Sequence, residues 1–248
     1  MKLNTPLGDR GKAMILAAGL GTRLKPWTDK HPKALAVING KSLLQRNIEY
    51  LQQFEIYNVV VNVHHFADQI VEAIVKNKGW GSNITVSDET NTILETGGGL
   101  KKAARFLKDE NDFILMNVDV LTDLHLGKMI EDHLNKKPLA TLATTNRTTS
   151  RYFLFNDNNE LCGWRNIETR EDKISRPSAK YRQKAFSGIH IISNRIFSLM
   201  NQDGKFSMID VYLEAAKNEI VRSFDHSKNK FIDVGKPESV TKAEAIFV

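Results

Sequence analysis

The segment Leu16-Ala17-Ala18-Gly19-Leu20-Gly21-Thr22-Arg23, followed by Lys25 and Lys33, combines residue types suited to handling phosphate. Glycines directly after a strand let backbone N–H groups approach a phosphate where a Cβ would block it. Arg23, Lys25 and Lys33 can offset the negative charge gathering on phosphoryl oxygens, and Pro26 and Pro32 stiffen the loop that carries them. A glycine pair after a strand also serves in plain tight turns, so the cations are what sharpen the reading. A dinucleotide site would place a third glycine near Arg23 and an acid at the end of the second strand, where the sequence has Asn62-Val63-His64. The Gly-Lys-Ser/Thr of a P-loop is absent too, which leaves a triphosphate held through Arg and Lys charge.

Two aspartates end apolar runs far apart in the chain, Asp119 after Phe113–Val118 and Asp233 after Phe231-Ile232. Ligands of open α/β sheets sit beyond the carboxyl ends of the strands, so both side chains can reach one site. Two carboxylates with phosphate oxygens make a natural Mg²⁺ site, while either acid alone could equally cap the loop or helix that follows. Glu95-Thr96-Gly97-Gly98-Gly99 opens a helical stretch, and three glycines there are costly unless a base or ribose edge lies against bare backbone. A flexible left-handed connection is the competing account. His64 and His65 lack a Cys or second His at metal spacing, which favours hydrogen bonding over transition-metal binding. No Ser–His–Asp or Cys–His pattern asks for a covalent route, and the lone Cys162 suits hairpin packing in a reducing cytoplasm.

The elements that must position these residues alternate. Lys12–Ala17, Tyr57–Val63, Ile84–Ser87, Asp112–Met116 and Leu139–Thr145 read as strands. Helical periods run between them: Leu44, Ile48 and Leu51 behind a Ser42 cap; Phe66, Ile70 and Ile74; Leu100, Ala103, Ala104 and Leu107; Leu126, Ile130 and Leu134. This is the α/β pattern. From residue 146 it changes: Tyr152–Phe155 and Leu161–Trp164 flank Asp157-Asn158-Asn159 like a β-hairpin, and 165–184 reads as a polar, basic loop. Ala185–Ile192 returns as a strand, a helix follows Ser207, Phe231–Val234 is a brief strand, and Pro237 opens a last helix.

The run Leu16–Pro26 with Pro32-Lys33 resembles the opening motif of the sugar-1-phosphate nucleotidylyltransferases. The resemblance continues through Glu95–Gly99, Asn117-Val118-Asp119, Phe186-Ser187-Gly188-Ile189 and Asp233-Val234-Gly235, and so spans nearly the whole chain. It is closest to the short, single-domain members, the N-acetylmuramate-1-phosphate uridylyltransferases and related mannose- or heptose-1-phosphate enzymes, with no sequence left for the β-helix of longer relatives. It implies a Rossmann-like three-layer α/β/α fold with a mixed, mainly parallel sheet and a β-hairpin elaboration. Residues 1–248 form one unit in which 1–145 bind nucleotide and 146–248 bind sugar phosphate.

Carried over residue by residue, the resemblance assigns Ala17, Ala18, Gly19, Gly21, Thr22, Arg23 and Lys33 to the triphosphate. Arg23 and Lys33 are also its catalytic cations. It assigns Thr96, Gly97 and Gly98 to base and ribose, Gly188 to the sugar, and Asp119 and Asp233 to Mg²⁺. Val118 departs from a common glycine, and the cation for the sugar phosphate is unassigned among Arg165, Arg170, Lys173, Arg176, Lys180, Arg182 and Lys184. The expected reaction joins a nucleoside triphosphate, UTP before GTP, to a sugar 1-phosphate. A domain that senses such ligands without turnover is the competing class.

The remaining features exclude more than they specify. The 248 residues are 41% hydrophobic and 26% charged, as in an ordinary globular enzyme, with no membrane-length apolar run. Residues 1–12 hold no apolar leader core. The net charge of +6 concentrates in residues 1–40 and 146–185, which suits two compact anions better than a nucleic acid, and nothing signals an oligomeric state.

Overall fold

Short apolar runs without polar alternation belong to strands buried on both faces, and they form the centre of the sheet. The computed structural model describes residues 11–247, so the leader reading over residues 1–12 lies almost wholly outside it, as does Val248. β1 (Lys12–Leu16) is followed by a small ribbon, β2 (Val37–Ile38) with β3 (Lys41–Ser42). β1 pairs in parallel with β4 (Asn58–Val63) and β6 (Asp112–Asn117), and β4 pairs in parallel with β5 (Asn83–Asp88). β7 (Val120–Thr122) lies just beyond β6.

In the second half come β8 (Ala140–Thr145), β9 (Arg151–Phe155), β10 (Leu161–Asn166), β11 (Glu171–Ile174) and the long β12 (Arg182–Ser193), then β13 (Val221–Asp225) and β14 (Phe231–Asp233). β12 runs antiparallel to β6, β8 and β9, and β13 lies parallel to β8. The sheet order is β11-β10-β9-β12-β6-β1-β4-β5, with β8 branching from β12 and β13 pairing with β8.

Alternate residues of each central strand face opposite cores. Ala13, Ile15, Val59, Val61, Ile114 and Met116 pack against α1 (Leu43–Gln52), α2 (Ala67–Lys76) and α4 (Leu126–Lys136), where Ala243 of α6 (Pro237–Ile246) joins them. Met14, Val60, Phe113 and Leu115 pack against α3 (Glu95–Leu107) and α5 (Met208–Ala215). Helices on both faces of a mixed, mainly parallel sheet give the three expected layers. The helix starts follow the capping chemistry: Ser42 Oγ accepts from Gln45 N at 3.1 Å, Ser207 Oγ accepts from Ile209 N at 3.1 Å, and Pro237 is the first residue of α6.

Two stretches differ from expectation. Residues 165–184 are not a loop: β11 returns along β10, with Arg165 opposite Asp172, and β12 begins at Arg182. All four residues of β11 are exposed, so no burial pattern marks it in the sequence. β13 was not foreseen because its sequence, Val-Arg-Ser-Phe-Asp, has a single fully buried residue, Val221. Among the described residues no helix is long and apolar enough to cross a membrane. Cys162 is free and fully buried on β10.

Candidate active site

β1, β4 and β6 run parallel, so their carboxyl ends open onto one edge, and a cleft of about 530 Å³ lies there. Its floor is tied together by Asn62 at the end of β4. Asn62 Oδ1 accepts from Ala17 N at 2.7 Å, and its Nδ2 donates to Glu89 Oε1 at 2.8 Å. Burial pushes the Glu89 carboxyl above its ordinary range, and the Asn62 hydrogen bond opposes that rise. His64 Nδ1 lies 2.7 Å from Glu89 O, which accounts for that histidine without a metal.

Ala17, Ala18, Gly19, Gly21, Thr22, Arg23 and Lys33 all line the cleft. Gly21 turns the loop with φ +63°, and its carbonyl accepts from Leu24 N at 2.8 Å and Thr28 Oγ1 at 3.0 Å. A Cβ at Gly21 would stand 2.8 Å from Thr28 Cγ2 and 3.0 Å from Lys33 Cβ, whereas one at Gly19 would meet no atom within 4 Å. Gly21 is therefore required by its neighbours and its φ, while the space over Gly19 is open.

Asp119 and Asp233 converge. Val234 N donates to Asp119 O at 2.8 Å, and β14 pairs with β7 so that Asp233 stands opposite Val120. Lys33 Nζ donates to Asp119 Oδ2. Arg23 and Asp233 flank Gly235: a Cβ there would lie 2.7 Å from Asp233 Oδ1 and 3.0 Å from Arg23 Nη2. Burial, then the nearby charge of Asp119, raises the Asp233 carboxyl, against the pull of Lys33, Arg23 and Arg147. Asp233 Oδ1 is buried without a hydrogen-bond partner. Two facing carboxylates, one with an unpaired oxygen, are a hard-oxygen donor set that fits Mg²⁺ completed by phosphate oxygens and water. Among the described residues no three His, Cys, Asp or Glu side chains cluster, so the chain by itself does not enclose an ion.

The glycine run at the start of α3 has a different cause from the one expected. Gly97 and Gly98 are buried behind the cleft wall and donate their N–H groups to Phe206 O at 2.9 and 3.2 Å. A Cβ on Gly97 would strike the Phe206 ring, one on Gly98 the Gly204 carbonyl, and one on Gly99 would stand 2.8 Å from Glu89 Oε1. Segment 204–208 packs against this bare backbone at Gly97 and Gly98. Thr96 lines the cleft, but its Oγ1 accepts from Met208 N at 2.9 Å and so anchors α5. Gly188 sits at φ +74° in the bulge of β12, where a Cβ would lie 2.7 Å from Asn117 Nδ2. It is buried beside the edge and does not line the cleft.

The cations of 165–184 are largely committed elsewhere: Arg165 to Asp172, Lys173 to Glu171 and Asp210, Arg176 to Glu160, Arg182 to Asp157 and Lys184 to Asp225. None of the seven lines the cleft. Sequence reasoning missed Asn62, Glu89, Asn117 and Lys205, which do. Asn62 and Glu89 had a signal, since each is a polar residue at a strand end that faces the same edge. Lys205 had none.

A glycine-lined turn, two cations and two acids thus share the carboxyl edge of an α/β sheet. The model of the nucleotidyl transferase family matches residues 12–247, and the chain belongs to that family. It is 31% identical to the N-acetylmuramate alpha-1-phosphate uridylyltransferase of Caulobacter vibrioides over 244 residues, 94% of this chain and 95% of that protein. It is 28% identical to the D-glycero-alpha-D-manno-heptose 1-phosphate guanylyltransferase of Aneurinibacillus thermoaerophilus, over 94% of this chain and 96% of that one. The crystal structure of HddC from Yersinia pseudotuberculosis complexed with GMP-PN superposes with a TM-score of 0.75 at 25% identity, covering 96% of this chain and all of that one.

Proposed function

We propose that this chain transfers a nucleoside monophosphate from a nucleoside triphosphate to a sugar 1-phosphate in a Mg²⁺-dependent reaction, giving an NDP-sugar and pyrophosphate. Its substrates are UTP and N-acetylmuramate 1-phosphate or a similar sugar phosphate. The observation that carries the reading is the meeting of Arg23, Lys33, Asp119 and Asp233 around the Gly19–Arg23 loop. UTP is favoured by the uridylyltransferase that matches over nearly its whole length; GTP is the second reading, supported by the heptose enzyme and by the GMP-PN complex. Residues 1–145 take the nucleotide and 146–248 the sugar phosphate, as two halves of one unit.

In this reaction an oxygen of the sugar phosphate attacks the α-phosphorus. The new P–O bond forms as the bond to the bridging oxygen of the β-phosphate breaks, and pyrophosphate leaves with that electron pair. The acceptor is already ionised at neutral pH, so no base on the chain is needed. The backbone N–H groups of the glycine loop and Arg23 hold the triphosphate, and Lys33, beside Asp119, answers the charge on its oxygens. Asp119 and Asp233 would hold Mg²⁺, which supplies further charge neutralisation at the phosphates.

Pyrophosphate release tests this, with UTP, GTP, CTP and ATP each paired with N-acetylmuramate, mannose, heptose and glucose 1-phosphates, with and without Mg²⁺. Release is expected only with a sugar phosphate and Mg²⁺, and Asp119→Ala and Asp233→Ala should lose it at limiting metal. Triphosphate binding without release in any pair would mark a sensing domain. Wild-type turnover in both variants would remove the metal assignment.

A further inference from the structure

None of the seven cations expected to meet the acceptor phosphate lines the cleft, and five of them, Arg165, Lys173, Arg176, Arg182 and Lys184, are paired with carboxylates. The topology points to another residue. β6 and β8 both run antiparallel to β12, so Asn117 and Thr145 end at the same edge of the sheet. Arg147 lies two residues past Thr145, exposed, on the side of that edge that carries Gly188.

Two contacts brace it. Arg147 Nη2 donates to Phe186 O at 2.9 Å, and its guanidinium carbon lies 5.2 Å from the centre of the Phe231 ring. Phe186 precedes Gly188 by two residues on β12, and Phe231 precedes Asp233 by two on β14, so the cation is held between the strands that carry those two residues. Arg23 reaches the same β14 segment from its other end, at Gly235. Asp233 thus has one arginine on each side along the chain, and the charge of Arg147 bears on its carboxyl. Among the described residues no carboxylate lies within ion-pair distance of Arg147, in contrast to Arg165, Arg176 and Arg182.

We propose that Arg147 receives the phosphate of the sugar 1-phosphate, held in place by the Phe186 carbonyl and the Phe231 ring. This rests on the nucleotidyl-transfer reading above. In-line displacement needs the attacking phosphate and the leaving pyrophosphate on opposite sides of the α-phosphorus. Arg23 and Arg147 meet the β14 segment at two different residues, Gly235 and Phe231, which gives the triphosphate and the acceptor a cation each. A guanidinium offers five N–H donors, so the one given to Phe186 O leaves a fork for two phosphate oxygens. Stacking on Phe231 limits its rotamers before the ligand arrives, which reduces the ordering cost of binding.

Steady-state kinetics of Arg147→Ala and Arg147→Lys test this, using the sugar 1-phosphate that wild type turns over and its triphosphate, with a thermal melt of each variant. Arg147→Ala should raise KM for the sugar phosphate about 10- to 100-fold and leave KM for the triphosphate within about twofold. Arg147→Lys, which keeps the charge and loses the fork, should fall between, and Arg182→Ala should match wild type. Guanidinium ion at millimolar concentration should partly restore Arg147→Ala, which a purely structural role would not allow. An active wild type with unchanged sugar-phosphate KM in Arg147→Ala, or equal rises in both KM values, overturns the assignment alone. A wild type that turns over no sugar phosphate overturns it together with the reaction. If Arg147→Ala melts below the assay temperature, Arg147→Lys gives the same decision.

Discussion

Two glycines two residues apart should respond to the same methyl group in opposite ways. Gly21→Ala places a Cβ 2.8 Å from Thr28 Cγ2 and 3.0 Å from Lys33 Cβ on a residue at φ +63°. The left-handed conformation costs an alanine about 1–2 kcal/mol, and forcing the methyl between packed groups adds about 1–3 kcal/mol. For a chain of this size each kcal/mol lowers Tm by about 2–4 °C, so Gly21→Ala should melt roughly 4–20 °C lower. Gly19→Ala meets no atom within 4 Å, so its stability should stay within about 0.5 kcal/mol of wild type. Gly19 lines the cleft, and a phosphate oxygen on its N–H would sit about 2.9 Å from the nitrogen, where the methyl crowds it. Displacing a phosphate from one such donor should cost up to about 10²–10³ in turnover, by analogy with removal of the donor. Thermal melts with and without triphosphate, alongside pyrophosphate release, read both quantities. Wild-type kinetics in Gly19→Ala would mean that no phosphate approaches that backbone, and a large drop in Tm would mean that the open space is not there.

Two further outcomes follow from buried polar groups. Asn62→Leu strands Ala17 N and the Glu89 carboxylate together, and should cost about 1–3 kcal/mol for each group in chemical denaturation; a cost near zero would mean that water replaces the amide. His190 and His226 are buried, and desolvation lowers them to about 3 and about 4. Their folded values lie below the ordinary value of 6.5, so the unfolded chain binds more protons below that pH. The stability from the neutral rings is complete above pH 6.5 and is lost as pH falls from there to about 4 for His226 and about 3 for His190, by several kcal/mol in total at this level of shift. Urea midpoints should therefore drop steeply between pH 6.5 and 4, less so in His226→Gln, and a flat profile across that range would contradict the burial assignment.

The elements of residues 12–145 were legible because each of their physical causes is local. Strands buried on both faces must be continuous apolar runs, as in Ala13–Ile15 and Phe113–Met116, and Ser42 caps the helix that follows it. The second half was read less well for an equally physical reason. β11 is an exposed edge whose partner is chosen by a hairpin and by the Arg165–Asp172 pair, and polar residues at such an edge look like loop residues in sequence. The glycines of α3 show the same limit, since a need for bare backbone was visible but the neighbour creating it, segment 204–208, is more than 100 residues away.

The chain by itself determined which groups could meet phosphate: Gly19, Gly21, Arg23 and Lys33 lie within 15 residues, on a loop that one strand end aims. Only the tertiary structure decided which charges are free to act. Asp119 and Asp233 come together because β7 pairs with β14 across more than 100 residues. Arg165, Arg176, Arg182 and Lys184 are paired with acids that hairpins and β13 bring to them, while Arg147, set between β12 and β14, keeps its charge unpaired among the described residues. Charge pairing acts over a few ångströms in space, and that distance is fixed by strand pairing, not by separation along the chain.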